Sequence, residues 1–199
     1  MRSVFLDALG SSQLYPITDR RLSHLSHADQ VLELSARGAS LIQLREKLLS
    51  PLEFYREAEA AIRVARNRGV KIIINDRVDI ALALQADGVH LGQDDVPPEA
   101  ARQLLGSQAI IGFSTHNSAQ AELAKKLPID YAAIGPIFAT STKIPAEPTV
   151  GLVGLHQVRE IVEDLPLIAI GGITSENKQQ VLDAGADAVA IISDLWRSQ

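Results

Sequence analysis

The 199 residues are 46% hydrophobic and 22% charged, with a formal net charge of -5 and no cysteine. The missing cysteine excludes disulfides, thiolate nucleophiles and cysteine-ligated metals, and the acidic balance argues against a broad nucleic-acid footprint. Asp7 interrupts the only apolar stretch near the N-terminus, and no apolar run approaches the roughly 18 residues of a bilayer span; the expectation is a soluble, cytoplasmic protein without membrane or nucleic-acid partners.

Short runs rich in Val, Ile and Leu alternate along the chain with Ala-rich, helix-like segments. The first predicted strand, Leu14–Thr18, is followed by a helix over His27–Arg37. Next come Leu41–Leu44 with Pro51–Arg68, Val70–Asn75 with Val78–Gln85, and Gly88–Leu91 with Pro97–Leu105. Ala109–Phe113 precedes Ser118–Lys126, Tyr131–Gly135 precedes Val153–Glu163, Leu167–Ile170 precedes Ser175–Ala184, and Ala188–Ile192 is the eighth strand. Eight β-then-α units with a mean period of about 25 residues describe a (β/α)8 barrel.

Local chemistry agrees with these boundaries. Pro51 and Pro97 stand at helix starts, where a missing N–H is harmless. Ser50 and Asn117 suit N-caps, and Gly38, Gly69, Gly106 and Gly185 follow helical runs. Three phrases echo one another at helix-to-strand turns: Ala86-Asp87-Gly88-Val89, Ile129-Asp130-Tyr131-Ala132 and Ala186-Asp187-Ala188-Val189. The strands are apolar throughout, as a parallel sheet covered by helices requires. An open doubly wound sheet would carry a Gly-rich phosphate loop after its first strand, where this chain has Ile17-Thr18-Asp19-Arg20. Residues 1–199 therefore read as a single TIM-barrel domain, α/β in class, with a short final helix because only six residues follow Ser193.

The unusual polar residues lie just past the strand ends, the catalytic face of such a barrel. In Gln43-Leu44-Arg45-Glu46-Lys47, alternation aims Gln43, Arg45 and Lys47 to one side. Gln suits a heterocycle edge, and Arg and Lys suit phosphate oxygens. Asn75-Asp76-Arg77-Val78-Asp79 and His90-Leu91-Gly92-Gln93-Asp94-Asp95 end neighbouring strands about 4.8 Å apart. Asp76 with Asp94 or Asp95 can share a Mg2+ ion; helix capping is the competing use of Asp76 and Asp79. His90 reads as a buried, hydrogen-bonded histidine. Ser114 and Thr115 suit a phosphate or a helix start, and His116 an acid or base. The connection after the sixth strand, residues 135–143, offers hydroxyls and Lys143 to an anion. Gly171-Gly172 and Ile192-Ser193 suit a phosphate between loops seven and eight, with Gly172 allowing close backbone approach.

Taken together, these stretches resemble the thiamine phosphate synthase family, from Tyr15-Pro16-Ile17-Thr18-Asp19 to Ile191-Ile192-Ser193. The resemblance implies an enzyme that condenses hydroxymethylpyrimidine diphosphate with hydroxyethylthiazole phosphate, releasing pyrophosphate with help from Mg2+. It implies Gln43 as the pyrimidine reader and Arg45, Lys47, Asn75, Ser114 and Lys143 as pyrophosphate contacts, with Arg45, Lys47, Ser114 and Lys143 acting in catalysis. Asp76 and Asp95 correspond to the Mg2+ ligands, Asp94 being the less favoured neighbour. Thr140, Thr142, Gly172, Ile192 (through its backbone) and Ser193 correspond to the thiazole-phosphate contacts. A homo-oligomer is compatible with this reading. The rivals are a thiazole tautomerase on the same fold, which uses a histidine in the loop of His116, and a silent thiazole- or thiamine-phosphate-binding barrel. Neither needs the carboxylates at 76 and 95.

Overall fold

Eight strands with no polar face must be covered on both sides. In the computed structural model, which describes residues 3–140 and 148–196, they achieve this by closing into a parallel barrel in sequential order. The strands are β1 Leu14–Thr18, β2 Leu41–Leu44, β3 Lys71–Asn75, β4 Gly88–Leu91, β5 Ile110–Thr115, β6 Tyr131–Ile134, β7 Leu167–Ile170 and β8 Ala188–Ile191. Closure runs through β1 and β8, with Tyr15 opposite Ala190, and leaves no free edge. The helices are α1 Val4–Leu9, α2 Arg20–Ser23, α3 His27–Ala36, α4 Pro51–Arg68, α5 Val78–Leu84, α6 Pro98–Leu105, α7 Ser118–Ala124, α8 Gly151–Val162 and α9 Lys178–Asp183. Among the described residues no helix is long and apolar enough to cross a membrane.

The expected caps are present. Ser50 and Glu53 form a reciprocal capping box ahead of Pro51, and Gly69 closes α4 in the left-handed conformation at φ 67°, where a side chain would be strained. Asn117 accepts the Gln120 N–H. The echoed Asp residues share one task. Asp87 accepts the Ile72 N–H at 2.8 Å, Asp130 the Ile111 N–H at 2.7 Å and Asp187 the Leu167 N–H at 2.8 Å. Each carboxylate, standing before an even strand, satisfies a donor at the start of the preceding odd strand. Arg102 and Arg159 pair with the second and third of these acids.

Several boundaries differ from expectation. The N-terminal residues form α1, whose Phe5 and Leu9 enter the floor of the barrel and pack on Tyr15, Tyr131, Leu41 and Ile110. Asp19 caps the short α2 through the Arg21 N–H. Residues 172–177 form a turn closed by Asn177, which accepts the Thr174 N–H and donates to the Gly172 carbonyl; α9 therefore begins later than Ser175. Among the described residues β8 is followed by a 3-10 turn, Ser193–Trp196, in place of an α-helix. It docks just past the C-terminal end of α3, where Arg37 donates to the Leu195 carbonyl and lies 5.4 Å from the Trp196 ring centre.

Candidate active site

The C-terminal ends of β1 to β5 converge on one side of the barrel mouth. Asp19, buried at the end of β1, holds Arg45 at 2.9 Å. Burial depresses the Arg45 guanidinium, and Asp19 acts against that depression, so the acid is what keeps a charged group in this position. The loop after β2 has its own brace. One Glu46 oxygen accepts the N–H groups of Lys47 and Leu48 at 2.8 Å each and of Leu49 at 3.4 Å. The other lies 3.5 Å from the fully buried His27 Nε2, too far for a good hydrogen bond. His27 first, and then the backbone donors, hold the Glu46 carboxyl down at about 2 against the effect of burial. His27 Nδ1 bonds the Thr18 hydroxyl, which accepts the Arg45 N–H. Glu46 thus shapes the loop from behind while Arg45 and Lys47 face the site. A cleft of about 210 Å³ between the first two loops is lined by Arg20, Arg21, Arg45 and Lys47, with Asp19 and Glu46 beneath them.

Beyond β3 the chain turns sharply. Asp76 has φ 64°, a conformation that Asp tolerates better than most side chains. Its N–H donates to the His90 carbonyl, and its carboxylate meets Lys47 Nζ at 2.5 Å. Asp76 does not cap α5: the N-cap is Arg77, without a side-chain cap bond, and Asp79 pairs with Arg77. Asp95 accepts the Gly92 N–H at 2.7 Å. Its carboxyl is raised above the usual range, first by burial and then by the neighbouring Asp76 carboxylate, while the Gly92 N–H and Lys47 oppose the rise. Two acids therefore share one spot, and Asp94 is exposed to solvent. Among the described residues no group of three or more His, Asp or Glu side chains is suited to a metal.

Below this rim lies a polar row inside the barrel. Gln43, only 2% exposed, donates to the Tyr15 hydroxyl at 3.2 Å, and the Tyr15 and Tyr131 hydroxyls are 3.0 Å apart. His90 bonds the Tyr131 hydroxyl through Nδ1 at 2.9 Å and Ser114 Oγ through Nε2 at 2.8 Å. Asn75, also buried, is paired with His90 in the sheet register. Gln43, Asn75 and Ser114 are therefore brought to one place. Asp19, Glu46, His27, Tyr15 and Tyr131 were not expected there. Asp19 could have been found from its position just past the first strand; the tyrosines carry no local signal.

The opposite side of the mouth is built by loops six to eight. Ile137 and Phe138 donate to the Ile170 and Gly171 carbonyls, and Val150 and Gly151 donate to those of Pro136 and Ile137. Gly171 and Gly172 have φ 99° and 66°, and a Cβ on Gly172 would lie 2.7 Å from the Ala139 oxygen and from Phe138 Cβ. The missing side chain at 172 thus admits loop six itself. Thr140, Ile192 and Ser193 are half-buried at this rim. Thr142 and Lys143 lie outside the described residues. His116 Nδ1–H donates to the Gly135 carbonyl.

The family model described as thiamine monophosphate synthase matches residues 14–195. The chain is 44% identical to a thiamine-phosphate synthase of Syntrophomonas wolfei, over 92% of this chain and 87% of that one. It is 46% identical to one of Methanospirillum hungatei, over 90% and 87%. Among solved structures it is similar to a thiamine phosphate pyrophosphorylase from Pyrococcus furiosus, with TM-score 0.82 and 36% identity over 94% of this chain and 88% of that one.

Proposed function

The chain belongs to the thiamine monophosphate synthase family, and from that premise we propose that its barrel mouth joins hydroxymethylpyrimidine diphosphate to hydroxyethylthiazole phosphate with Mg2+ at Asp76 and Asp95. The activity is that of a thiamine-phosphate synthase, a transferase of thiamine biosynthesis. The chemistry asks for a grip on a leaving anion rather than a nucleophilic side chain. The CH2–O bond of the pyrimidine breaks and its electron pair departs with pyrophosphate. The thiazole nitrogen lone pair then forms the new C–N bond to the same carbon.

The observation that carries this reading is the acid pair at 76 and 95, with Lys47 on Asp76 and the Gln43–Ser114 row beneath. Two adjacent carboxylates repel unless a cation or proton joins them, and Mg2+ favours one or two carboxylates plus water and phosphate oxygens. The donor set fits, and Mg2+ there would supply neutralising charge to the diphosphate. Gln43 faces the pyrimidine edge. Arg45, Lys47, Asn75 and Ser114 draw the leaving group to one wall, where donors fixed in advance stabilise charge as it develops. Thr140, Gly172, Ile192 and Ser193 hold the thiazole phosphate on the other wall, so the two rings meet across the mouth. Lys143 and Thr142 complete the two groups by sequence position. A tautomerase has no use for the acid pair. The reading places the enzyme in the cytoplasm with its small-molecule substrates.

The test is pyrophosphate release from both substrates and Mg2+, with a chelator control. Mg2+-dependent release with equimolar thiamine phosphate is expected. A folded protein that binds the thiazole phosphate yet releases nothing would overturn the reading.

A further inference from the structure

We propose that Tyr15, Tyr131 and His90 are positioning residues: they form a polarised hydrogen-bond chain through the barrel interior that fixes His90 with its proton on Nε2 and turns the Ser114 hydroxyl proton outward, toward an oxygen of the leaving pyrophosphate. The proposal rests on the reading of Gln43 and Ser114 as the pyrimidine and pyrophosphate contacts.

The polarity follows from counting protons. Gln43 Nε2 can only donate, so the Tyr15 oxygen, 3.2 Å away, accepts. The single Tyr15 proton then goes to the Tyr131 oxygen at 3.0 Å, and the Tyr131 proton to His90 Nδ1 at 2.9 Å. Both phenols keep their protons, since burial raises them far above their ordinary range. The buried His90 ring has a hydroxyl, and no carboxylate, on each nitrogen, so it is neutral and carries one N–H. With Nδ1 accepting, that N–H is on Nε2 and points at Ser114 Oγ, 2.8 Å away. Ser114 accepts there and keeps its own proton for another acceptor. Gln43, Tyr15, Tyr131 and His90 are all buried, whereas Ser114 is half-exposed at the mouth; the free proton emerges where an anion can take it.

Rotating the Gln43 amide reverses every step. Its Oε1 would accept from Tyr15, His90 would carry the proton on Nδ1, and Ser114 would have to donate inward. Only lone pairs would then face the anion, which repels them. The amide that reads the ring therefore sets whether the distant hydroxyl suits the leaving group. The path is specifically built. His90, Gly112 and Tyr131 form one row across β4, β5 and β6, and a Cβ on Gly112 would lie 2.3 Å from the Tyr131 hydroxyl. The absent side chain lets Tyr131 cross β5 to reach His90. From below, Phe5 of α1 stacks on Tyr131 at 3.9 Å and meets Tyr15 edge-on at 5.6 Å.

Two measurements separate this proposal from the reading beneath it. In unliganded wild-type protein labelled with 15N-histidine, the ring in contact with Tyr131 should show a protonated Nε2 and a bare Nδ1; protonation on Nδ1 overturns the polarity whatever the activity. Tyr131→Phe, which keeps the stacked ring, should lower kcat about ten-fold with KM for the thiazole phosphate unchanged. On a Ser114→Ala background the same change should cost nothing further; an equal loss on both backgrounds would show that Tyr131 does not act through Ser114. If Gln43→Ala and Ser114→Ala each retain full turnover, the substrate reading of those residues fails, and the histidine spectrum still reports on the chain.

Discussion

Asp76 and Lys47 meet at 2.5 Å at the centre of the rim, and Asp76 also stands against the raised carboxyl of Asp95. Removing Asp76 relieves repulsion while taking away half of the acid pair. Asp76→Ala should abolish Mg2+-dependent turnover and leave the melting temperature nearly unchanged; retained turnover would remove the metal assignment. Glu46 works differently, because its charge is spent on backbone donors and His27. Its folded value of about 2 lies below its ordinary 4.5, so the unfolded chain takes up the proton first as the solution is acidified. Its contribution to stability is complete above about pH 4.5 and disappears as the pH falls toward 2. Glu46→Gln should therefore lower the melting temperature at neutral pH, with the gap to wild type closing across that window. A gap of constant size would mean that shape rather than charge holds the loop.

At the scale of elements, the two ends of the barrel divide the labour. The N-terminal end is stitched by the Asp87, Asp130 and Asp187 carboxylates, each fastened to the strand before its own. Asp187 also pairs with Arg159 of α8 at 2.8 Å, so it joins β7, β8 and the helix that precedes β7. Losing a partly buried acceptor leaves its donors unsatisfied, at a cost of about 1–3 kcal/mol. Asp187→Ala should show that loss in urea unfolding while KM for both substrates stays put, since the site lies at the other end of the strands. The echo of these acids was visible in the sequence as a repeat. Their function was not, because each bond joins residues 15 to 20 positions apart.

Across the whole molecule, α1 links floor to mouth. Phe5 fills the bottom of the barrel and presses on Tyr131, which stands in the row leading to Ser114. Phe5→Ala should cost about 3–5 kcal/mol of stability through the cavity it leaves. It should also reduce kcat, because Tyr131 loses the ring that sets its position. The affinity for thiazole phosphate should hold, since loops seven and eight lie apart from that contact; a parallel loss of both would argue for general loosening instead.

The sequence by itself determined the order of eight βα units, most caps, and the clustering of Gln43, Arg45, Asn75, Asp76, Asp95 and Ser114 at strand ends. These follow from local rules: apolar period, turn chemistry and the side to which alternate residues point. It also carried the family resemblance, since short motifs preserve residue type and spacing. Only the tertiary structure decided between Asp76 as cap and Asp76 as rim acid, through one positive φ and a contact with Lys47. Only it revealed α1 as the barrel floor, and only it joined Gln43 to Ser114 through Tyr15, Tyr131 and His90. The reason is physical. A closed barrel brings together side chains more than a hundred residues apart, as with Tyr15 and Tyr131, and the glycine that lets one of them pass is silent until its neighbours are in place.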